Sequence, residues 1–482
     1  MTETIPPVIT LQASVSLWQW LNTNKLSLAF TTYQTNRLFL LGCKPDGQLA
    51  VNERLFDKPM GLYAHDNSLY MATRYQLWQL ENRLDEGESW QGNDRLYIPC
   101  QSYTTGDLNV HDVVLDKDGQ LLFINTDFSC LAALRPGFSF EPLWRPPFIT
   151  KLASEDRCHL NGLALRGGQP IYATACSSTD SAAGWRHHRH HGGIVMHIPS
   201  NEIIATGLSM PHSPRWYKGK LWLLNSGSGE LGYLDGERFI SVTFCPGFVR
   251  GLAFFGHYAL VGLSKLRSAS FGGLVLEQRL AELGQTPQCG LQVIDLNTGA
   301  VVHSLEFTGV VEELFDVVVL PDVRRPATLG FKEEAIDRLI NFPGSGGLIT
   351  TKPTVKRPGI GTVIQVAGLP RLTPLAQSSA APIKYQRVYH LTPDNLAPYE
   401  ALTFPSLLQH WQTHPQRGEL HGVSASVDGE MIGFIVAEQV PQDSPEKYAI
   451  EVLSLFVLPA YRRQGIATAL TQCLQQALKS RL

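Results

Sequence analysis

A chain of 482 residues exceeds what one hydrophobic core usually supports, about 250 to 300 residues, so at least two domains are expected. Its 44% hydrophobic and 17% charged residues are typical of folded domains. The 40 Lys and Arg residues against 43 Asp and Glu leave a net charge of −3, which excludes the strongly basic character of nucleic-acid-binding proteins.

The N-terminus, MTETIPPVITLQ, has neither the basic start nor the apolar run of a secretory signal, and no later stretch reaches the roughly 18 apolar residues of a membrane span. The eight cysteines are scattered and include no C-x-x-C pair for zinc or redox chemistry. These features predict a cytoplasmic protein with reduced thiols and without nucleic-acid or membrane partners.

A unit of about fifty residues recurs along the first two thirds of the chain, which is typical of a β-propeller. Each copy has a β-type run, a polar or Gly turn, a second β-type run and a short third strand. Four copies begin at Met60, His111, Asn161 and Ser213, spaced 51, 50 and 52 residues apart, and a fifth begins at Arg250.

The sixth unit is divided between the two ends of this region. LFDVVVL from Leu314 supplies one strand, and KLSLAF and RLFLLG near the N-terminus supply others, so the chain closes its ring within one sheet. Helical segments of about 10 to 15 residues, which a parallel β/α fold needs, are largely absent before residue 325. The sequence predicts an all-β six-bladed β-propeller over residues 20–325, with a seven-bladed count or an irregular β-sandwich as alternatives.

Residues that open each unit are expected to face the central channel of a propeller. At two positions the alignment leaves a choice, between His212 and Ser213 and among Glu312, Glu313 and Asp316. A polar channel suits a ligand site or metal-assisted hydrolysis, and it equally suits a water-filled channel whose polar groups satisfy the backbone of neighbouring sheets. The channel candidates are His111, Asp127, His159, Asn161, His212, Arg250 and Glu313.

Two resemblances concern this region. The segment Asn161-Gly162-Leu163 resembles one that supplies a metal ligand in six-bladed lactonases and related calcium-dependent hydrolases. The acidic ligand that those enzymes carry near the start of the propeller has no clear match, so no metal ligand is assigned. Over residues 20 to 330, segments such as EDRCHLNGLAL, SMPHSPRWYKGKLWLLNSGSGEL and VEELFDV resemble an uncharacterised bacterial family of conserved hypothetical propeller proteins, which implies a fold but no activity.

Two further segments interrupt or follow the repeat. Four histidines crowd into residues 187–191, HHRHH, and because metal ligands usually come from separate elements of fixed geometry, this run predicts an exposed loop between two strands. From Phe342 onward the chain is rich in Pro, Gly, Ser and Thr, which predicts a linker or strap over residues 326–383.

Residues 384–482 form a second predicted module. A strand is followed by a helix through ALTFPSLLQHWQ, a hairpin around Asp428-Gly429 and a strand AIEVLSLFV. The chain then turns into an amphipathic helix with apolar residues at Ile466, Leu470, Leu474 and Leu478.

The turn before this helix carries the R/Q-x-x-G-x-G/A pattern of GNAT acyltransferases, and the module resembles that family. The resemblance implies an α/β (α+β) fold in which backbone N–H groups of the loop and helix start bind the pyrophosphate of acetyl-CoA. It also implies contacts from Leu455, Phe456 and Val457 to the thioester and acyl group, and it suggests Glu451 as a general base. The residues that match the pattern are Arg462, Arg463, Gln464, Gly465, Ile466 and Ala467.

A complete GNAT member continues past this helix with a strand, a helix and a hairpin, whereas the sequence ends at Leu482. It therefore predicts a truncated module that has lower affinity, is completed by a separate polypeptide, or is vestigial. Three functions are compatible with the chain. The first is acetyl transfer from acetyl-CoA to an amine of a small molecule or protein, with the propeller recognising the acceptor. The others are a non-enzymatic binding protein and a metal-dependent hydrolase acting in the channel.

Overall fold

The computed structural model describes residues 9–265, 273–331, 333–351, 383–391, 419–441, 448–462 and 464–479. The chain divides into two compact units, Met1–Gly359 and Ile360–Leu482, and each is described by itself. None of the helices that the structure describes combines the length and apolar character needed to cross a membrane.

The described part of the first unit is built almost entirely from strands. The first eleven are β1 (Ile9–Ala13), β2 (Leu26–Thr32), β3 (Arg37–Cys43), β4 (Leu49–Leu55), β5 (Leu62–His65), β6 (Ser68–Ala72), β7 (Gln76–Asn82), β8 (Arg95–Thr104), β9 (Val110–Leu115), β10 (Leu121–Asn125) and β11 (Cys130–Ala133). The next nine are β12 (Glu141–Trp144), β13 (Leu160–Arg166), β14 (Gln169–Ala175), β15 (Gly193–His197), β16 (Glu202–Leu208), β17 (Pro211–Tyr217), β18 (Lys220–Asn225), β19 (Glu230–Asp235) and β20 (Arg238–Phe244). The last eight are β21 (Phe248–Phe255), β22 (Tyr258–Ser264), β23 (Gly290–Asp295), β24 (Val301–Gly309), β25 (Asp316–Pro321), β26 (Pro326–Thr328), β27 (Leu339–Ile340) and β28 (Ile349–Thr350). The helices are α1 (Leu17–Thr23) and α2 (Val275–Glu282), with short 3₁₀ turns at Gly184–His188, Ser226–Ser228 and Glu334–Asp337.

These strands form a β-propeller. Three sheets are four-stranded meanders, β9–β12, β13–β16 and β17–β20, and three more include strands from the distant chain ends, in the orders β25-β2-β3-β4, β1-β24-β23-β22-β21 and β26-β8-β7-β6-β5. One edge strand of each sheet, called its first strand below, packs against the first strands of two other sheets. These contacts form a closed circle: β5 contacts β9, β9 contacts β13, β13 contacts β17, β17 contacts β21, β21 contacts β25 and β25 contacts β5. β27 and β28 form a separate two-stranded hairpin.

The chain closes this circle within one sheet, as the divided sixth unit predicted. β25 pairs antiparallel with β2, from Thr31 opposite Asp316 to Leu26 opposite Pro321. Two strands that join the propeller sheets lie outside the predicted limits of 20–325: β1 adds an outer strand antiparallel to β24, and β26 adds one parallel to β8. The segments on either side of the predicted region therefore cover sheet edges that would otherwise present unpaired backbone groups.

The core lies between the sheets. β2 and β9 are buried at every position, as expected of strands that other sheets cover on both faces, whereas the outer strand β4 has a single buried residue. Close approach of the first strands demands small residues: a Cβ at Gly251, whose φ is 76°, would lie 2.8 Å from Cα of Asp316. This packing fixes the strand ends that meet at the centre of the ring.

The second unit contains one antiparallel sheet and a helix. Its elements are β29 (Lys384–Leu391), β30 (Glu419–Val427), β31 (Glu430–Pro441), β32 (Tyr448–Val457), a 3₁₀ turn at Pro459–Tyr461 and α3 (Ile466–Lys479), with the sheet in that strand order. The predicted hairpin turn is confirmed, because Asp428 and Gly429 both have positive φ, 49° and 86°, as a two-residue hairpin turn requires. The predicted helix through ALTFPSLLQHWQ lies outside the described residues.

The predicted apolar face of α3 is the face that packs on this sheet. Ile466, Leu470 and Leu474 are buried in one cluster with residues of β30, β31 and β32, and Leu478 packs at its edge. A helix with this spacing buries one stripe against a sheet, which places its first turn beside the end of β32.

Candidate functional site

Three histidines meet where the first strands converge. His111 lies in β9, His212 lies in β17, and His159 immediately precedes β13. All three side chains are buried, and their ring nitrogens offer ligand atoms that lie within 4.8 Å of one another.

Hydrogen bonds fix the tautomer of two of these imidazoles. Nδ1 of His111 lies 2.9 Å from the carbonyl oxygen of Asn109, and Nδ1 of His212 lies 2.8 Å from that of Met210. A carbonyl only accepts, so each Nδ1 carries the proton and each Nε2 is left as an acceptor. Arg250 agrees with this assignment for His212, because its guanidinium, which only donates, lies 3.4 Å from His212 Nε2.

The third imidazole is held by a carboxylate. Nδ1 of His159 lies 3.0 Å from both carboxylate oxygens of Asp156, and the indole N–H of Trp185 donates to the same carboxylate at 2.8 Å. The Trp185 ring also stacks on the His159 ring, with centroids 4.2 Å apart and planes at 28°. Asp156 thus orients His159 with its Nε2 directed away from the loop.

Electrostatics keep two of the histidines neutral. Burial lowers the pKa of His111 well below its ordinary value, and the nearby His159 and Arg250 lower it further. Burial also lowers the pKa of His212 well below its ordinary value, and the charge of Arg250 lowers it further. Neutral imidazoles with an accepting Nε2 are the form in which histidine binds a metal ion.

A cavity of about 220 Å³ opens beside this cluster. His111 and His159 form part of its wall, together with the cationic side chains of Lys58, Arg186 and Arg250. Three cations against the one carboxylate of Asp156 at this small cavity favour an anionic ligand.

A second layer of polar side chains ties the sheets together one residue further along the strands. Asp112 accepts the backbone N–H of Leu163 in the next sheet at 3.0 Å, and Asp316 accepts that of Leu62 at 2.9 Å. Arg215 joins both acids, at 2.7 Å from Asp112 and 3.9 Å from Asp316.

Burial is the main cause that raises the pKa of Asp316, to about 7, while Arg215 lowers it and Asp112 raises it again. Two buried carboxylates therefore share one cation within the layer, and burial favours the protonated form of Asp316.

A second cavity, of about 410 Å³, lies in the C-terminal unit. It is formed where β32 ends and α3 begins, and Gly465 at the junction has a φ of 80° with no atom near the position of a Cβ. Arg462 is fixed at its rim by a 2.9 Å hydrogen bond from Nε to the carbonyl oxygen of Val457. The lining residues are Leu455, Phe456, Val457, Tyr461, Arg462, Gly465, Ile466, Ala467 and Thr468.

Comparison with known sequences assigns both units. The model of the family described as a domain of unknown function (DUF4915) matches residues 15–329. The chain belongs to that family. Residues 385–482 match the acetyltransferase (GNAT) family, so the chain joins a DUF4915 propeller to a GNAT domain. No curated protein matches the chain significantly.

Solved structures similar to the chain share little sequence with it. A virginiamycin B lyase from Staphylococcus aureus is 10% identical, with 62% of this chain and 99% of that one covered and a TM-score of 0.32. A gluconolactonase from Xanthomonas campestris is 12% identical, with 52% and 76% covered and a TM-score of 0.34. An aminoglycoside acetyltransferase from an uncultured soil metagenomic sample is 22% identical, with 21% and 74% covered and a TM-score of 0.17. The family assignment rests on the two sequence matches.

The structure brings together only some of the predicted channel residues. His111, His159 and Arg250 line the DUF4915 cavity, and His212 lies buried against Arg250. Phe315, which immediately precedes β25, lines the cavity, whereas Glu313, two residues earlier, is buried and does not line it. Asp127 does not line the cavity either.

Asn161 also differs from its expected role. Its Oδ1 accepts a 2.7 Å hydrogen bond from the Thr174 hydroxyl, and its Nδ2 lies 3.5 Å from Sγ of Cys176, so its amide is used within its own sheet. The resemblance of this segment to the lactonase metal ligand therefore does not extend to the cavity wall, where Asn161 is not found.

The sequence analysis missed residues of the central cavity that lie outside the repeat. Asp156 and Trp185 come from loops, and Trp185 together with Arg186 immediately precedes the histidine run of residues 187–191. That run lies in the predicted loop, between β14 and β15. A tryptophan in an otherwise polar loop was the available signal, because large apolar rings are rarely left in solvent.

In the GNAT domain most of the predicted cofactor residues line the second cavity. Gln464 is exposed beside it, and Arg463 lies outside the described residues. The backbone of Glu451 pairs with that of Glu438 on β31. Glu438 and His421 are buried polar residues of this sheet that the sequence analysis did not single out.

Proposed function

We propose that the GNAT domain transfers an acetyl group from acetyl-CoA to an amine. The observation that carries this proposal is the coincidence of the family match with the cavity between β32 and α3, whose wall contains the residues that the motif assigns to the cofactor. The first N–H groups of a helix have no intrahelical acceptor, and the positive end of the helix dipole favours an anion. The start of α3, the flexible backbone of Gly465 and the cation of Arg462 suit the pyrophosphate of acetyl-CoA.

The proposed reaction needs a nucleophilic amine and a place for its proton. The amine nitrogen attacks the thioester carbonyl carbon, a C–N bond forms, the C–S bond breaks, and CoA leaves as the thiolate. The amine proton passes to a general base, for which Glu451 is proposed, and finally to the thiolate. The backbone of Glu451 on β32 pairs with that of Glu438 on β31, so the two glutamates are neighbours across the sheet.

For the DUF4915 domain we propose a six-bladed propeller that recognises the acceptor or another ligand. The support is the closed circle of six sheets and the central cavity with its three cationic side chains. Such a cavity favours a small ligand that carries a carboxylate or another oxyanion.

Calorimetric titration of the full-length chain with acetyl-CoA tests the first proposal, with Gly465→Val as the variant. A β-branched residue is strained at a φ of 80° and brings side-chain atoms to the place where the phosphates approach. Gly429→Val is the matched control for backbone strain, because Gly429 has a φ of 86° in the hairpin turn and does not line the cavity.

We expect saturable binding that Gly465→Val weakens at least tenfold and Gly429→Val leaves unchanged. Release of CoA thiol with a panel of amines then measures transfer. Equal losses in both variants would show that backbone strain, and not the proposed contact, causes the effect, and an absence of saturable binding would refute the proposal.

A further inference from the structure

We propose that His111, His159 and His212 bind one divalent transition-metal ion of the zinc class at the centre of the DUF4915 propeller. All of the residues of this site belong to the first unit. The site differs from a site for Ca²⁺ or Mg²⁺, because those ions require oxygen ligands and three imidazoles offer nitrogen.

The first argument is the direction of the donor atoms. The Nδ1 atoms of all three rings are taken up by hydrogen bonds to acceptors of the protein, which leaves Nε2 as the acceptor of each ring, and in His212 this atom lies 3.4 Å from the Arg250 guanidinium. The carboxylate of Asp156 behind His159 reproduces the carboxylate–histidine pair that orients metal-bound imidazoles.

The second argument is spacing. A tetrahedral zinc ion with bonds of about 2.0 to 2.1 Å holds its nitrogens roughly 3.3 Å apart. One ring nitrogen of each histidine lies within 4.8 Å of one from each of the other two. The torsion χ2 that turns an imidazole is soft, so the rings can turn toward the spacing that the ion requires.

The third argument concerns origin and burial. His111 and His212 lie in strands of two different sheets, and His159 immediately precedes the first strand of a third, so three separate sheets fix the relative positions of the rings. Rigid and separate elements are what distinguish a metal site from a local run of histidines such as residues 187–191.

The fourth coordination position would face the cavity. His111 and His159 line it, and Lys58, Arg186 and Arg250 contribute positive charge to the same wall. A bound metal ion would add two further positive charges to this wall, so an oxyanion, such as a carboxylate, is the class of ligand that fits the open position. Arg250, now 3.4 Å from His212 Nε2, would give up that contact to the metal and pair with the anion.

The test measures metal content and Co²⁺ binding of the full-length chain, purified without a polyhistidine tag. Three proteins are compared: the wild type, His111→Gln, and a control in which His187, His188, His190 and His191 are all changed to Gln. Visible ligand-field bands of bound Co²⁺ report coordination by nitrogen, and addition of inorganic phosphate probes the open position.

We expect one equivalent of metal in the wild type and in the loop control, and at least a hundredfold weaker binding in His111→Gln. Phosphate should shift the Co²⁺ bands. Metal that is lost in the loop control but kept in His111→Gln, or no binding in any protein, would overturn the proposal, and unchanged bands with phosphate would refute the open position.

A second variant covers the case in which His111→Gln fails to fold. Asp156→Asn removes the charge behind His159 without removing a ligand, and it should weaken Co²⁺ binding about 10- to 100-fold. Unchanged affinity in a folded Asp156→Asn protein would contradict the assigned geometry, whereas a purely structural histidine cluster would show no saturable binding to be weakened.

Discussion

Replacing Arg215 by methionine is expected to loosen the contact between two strands that carry the histidine cluster. Arg215 follows His212 on β17, and its guanidinium reaches Asp112, the residue after His111 on β9, at 2.7 and 3.2 Å. It also donates to the carbonyl oxygen of Leu163 at 3.2 Å. Methionine has a similar length but none of these hydrogen bonds.

The size of the effect follows from burial. Asp112 and Asp316 keep 3% and 4% of their side-chain exposure, whereas Arg215 keeps 23%. Removing one partner of a buried ion pair costs about 3 to 5 kcal/mol, and partial exposure of the cation places this case near 3 kcal/mol. The loss should be largest when both carboxylates are ionised.

The pH dependence has a definite sign. The pKa of Asp316 is raised to about 7 by burial, although Arg215 opposes the rise. Because this pKa exceeds the value of about 3.9 in an unfolded chain, the folded state holds the extra proton, and its stability falls as the pH rises from about 4 to 7. Without Arg215 the pKa of Asp316 rises further. At pH values above this pKa, each added pKa unit lowers the free energy of unfolding by about 1.4 kcal/mol.

Urea unfolding at pH 5 and pH 8 measures this difference. The deficit of Arg215→Met should be about 3 kcal/mol at pH 8 and clearly smaller at pH 5. Arg74→Met is the control, because Arg74 and its partner Asp57 are each 46% exposed and such pairs contribute at most about 1 kcal/mol. A deficit that is the same at both pH values would refute the role assigned to Asp316.

Three further outcomes are expected. Glu451→Gln should leave acetyl-CoA affinity unchanged and lower the rate of CoA release, and a loss of affinity would assign this residue to binding instead. Trp185→Phe keeps an aromatic ring on the central cluster but removes the indole hydrogen bond to a carboxylate, so urea unfolding should show a loss of about 1.5 to 3 kcal/mol. In a thiol titration of the native chain, only Cys100 and Cys473 should react quickly. The other six cysteines are buried, and burial raises their pKa values. Fast reaction of a third thiol would contradict this packing.

The repeat allowed the propeller to be predicted from the sequence because each sheet buries its own copy of the same pattern. The spacing of the copies placed β5, β9, β13, β17 and β21, and the leftover strand at Leu314 required a partner from the N-terminus, which is β2. β1 and β26 could not be predicted in this way, since each is an added outer strand without a copy in the other units.

In the GNAT domain the local sequence was equally informative where the chain makes a sharp turn. Asp428-Gly429 and Gly465 need positive φ, so few residue types satisfy them and the sequence reveals the position. The burial of Glu438 and His421 depends on which face of the sheet is covered, and no local pattern shows this.

The central site arises where the chain departs from its repeat. His111 and His212 occupy equivalent positions in two copies, while the copy between them has Asn161 there, turned into its own sheet. The third imidazole is supplied instead by His159, two residues earlier, in the left-handed conformation with a φ of 52°. Asn109 and Met210, two residues before His111 and His212, also have positive φ, 51° and 48°, so the left-handed conformation at this position belongs to the repeat. What is particular to the third copy is that a histidine occupies this position, and the carboxylate of Asp156 accepts a hydrogen bond from its ring. Repetition alone would have placed a histidine at residue 161. The third imidazole of the cluster is therefore a side chain that the repeat does not predict.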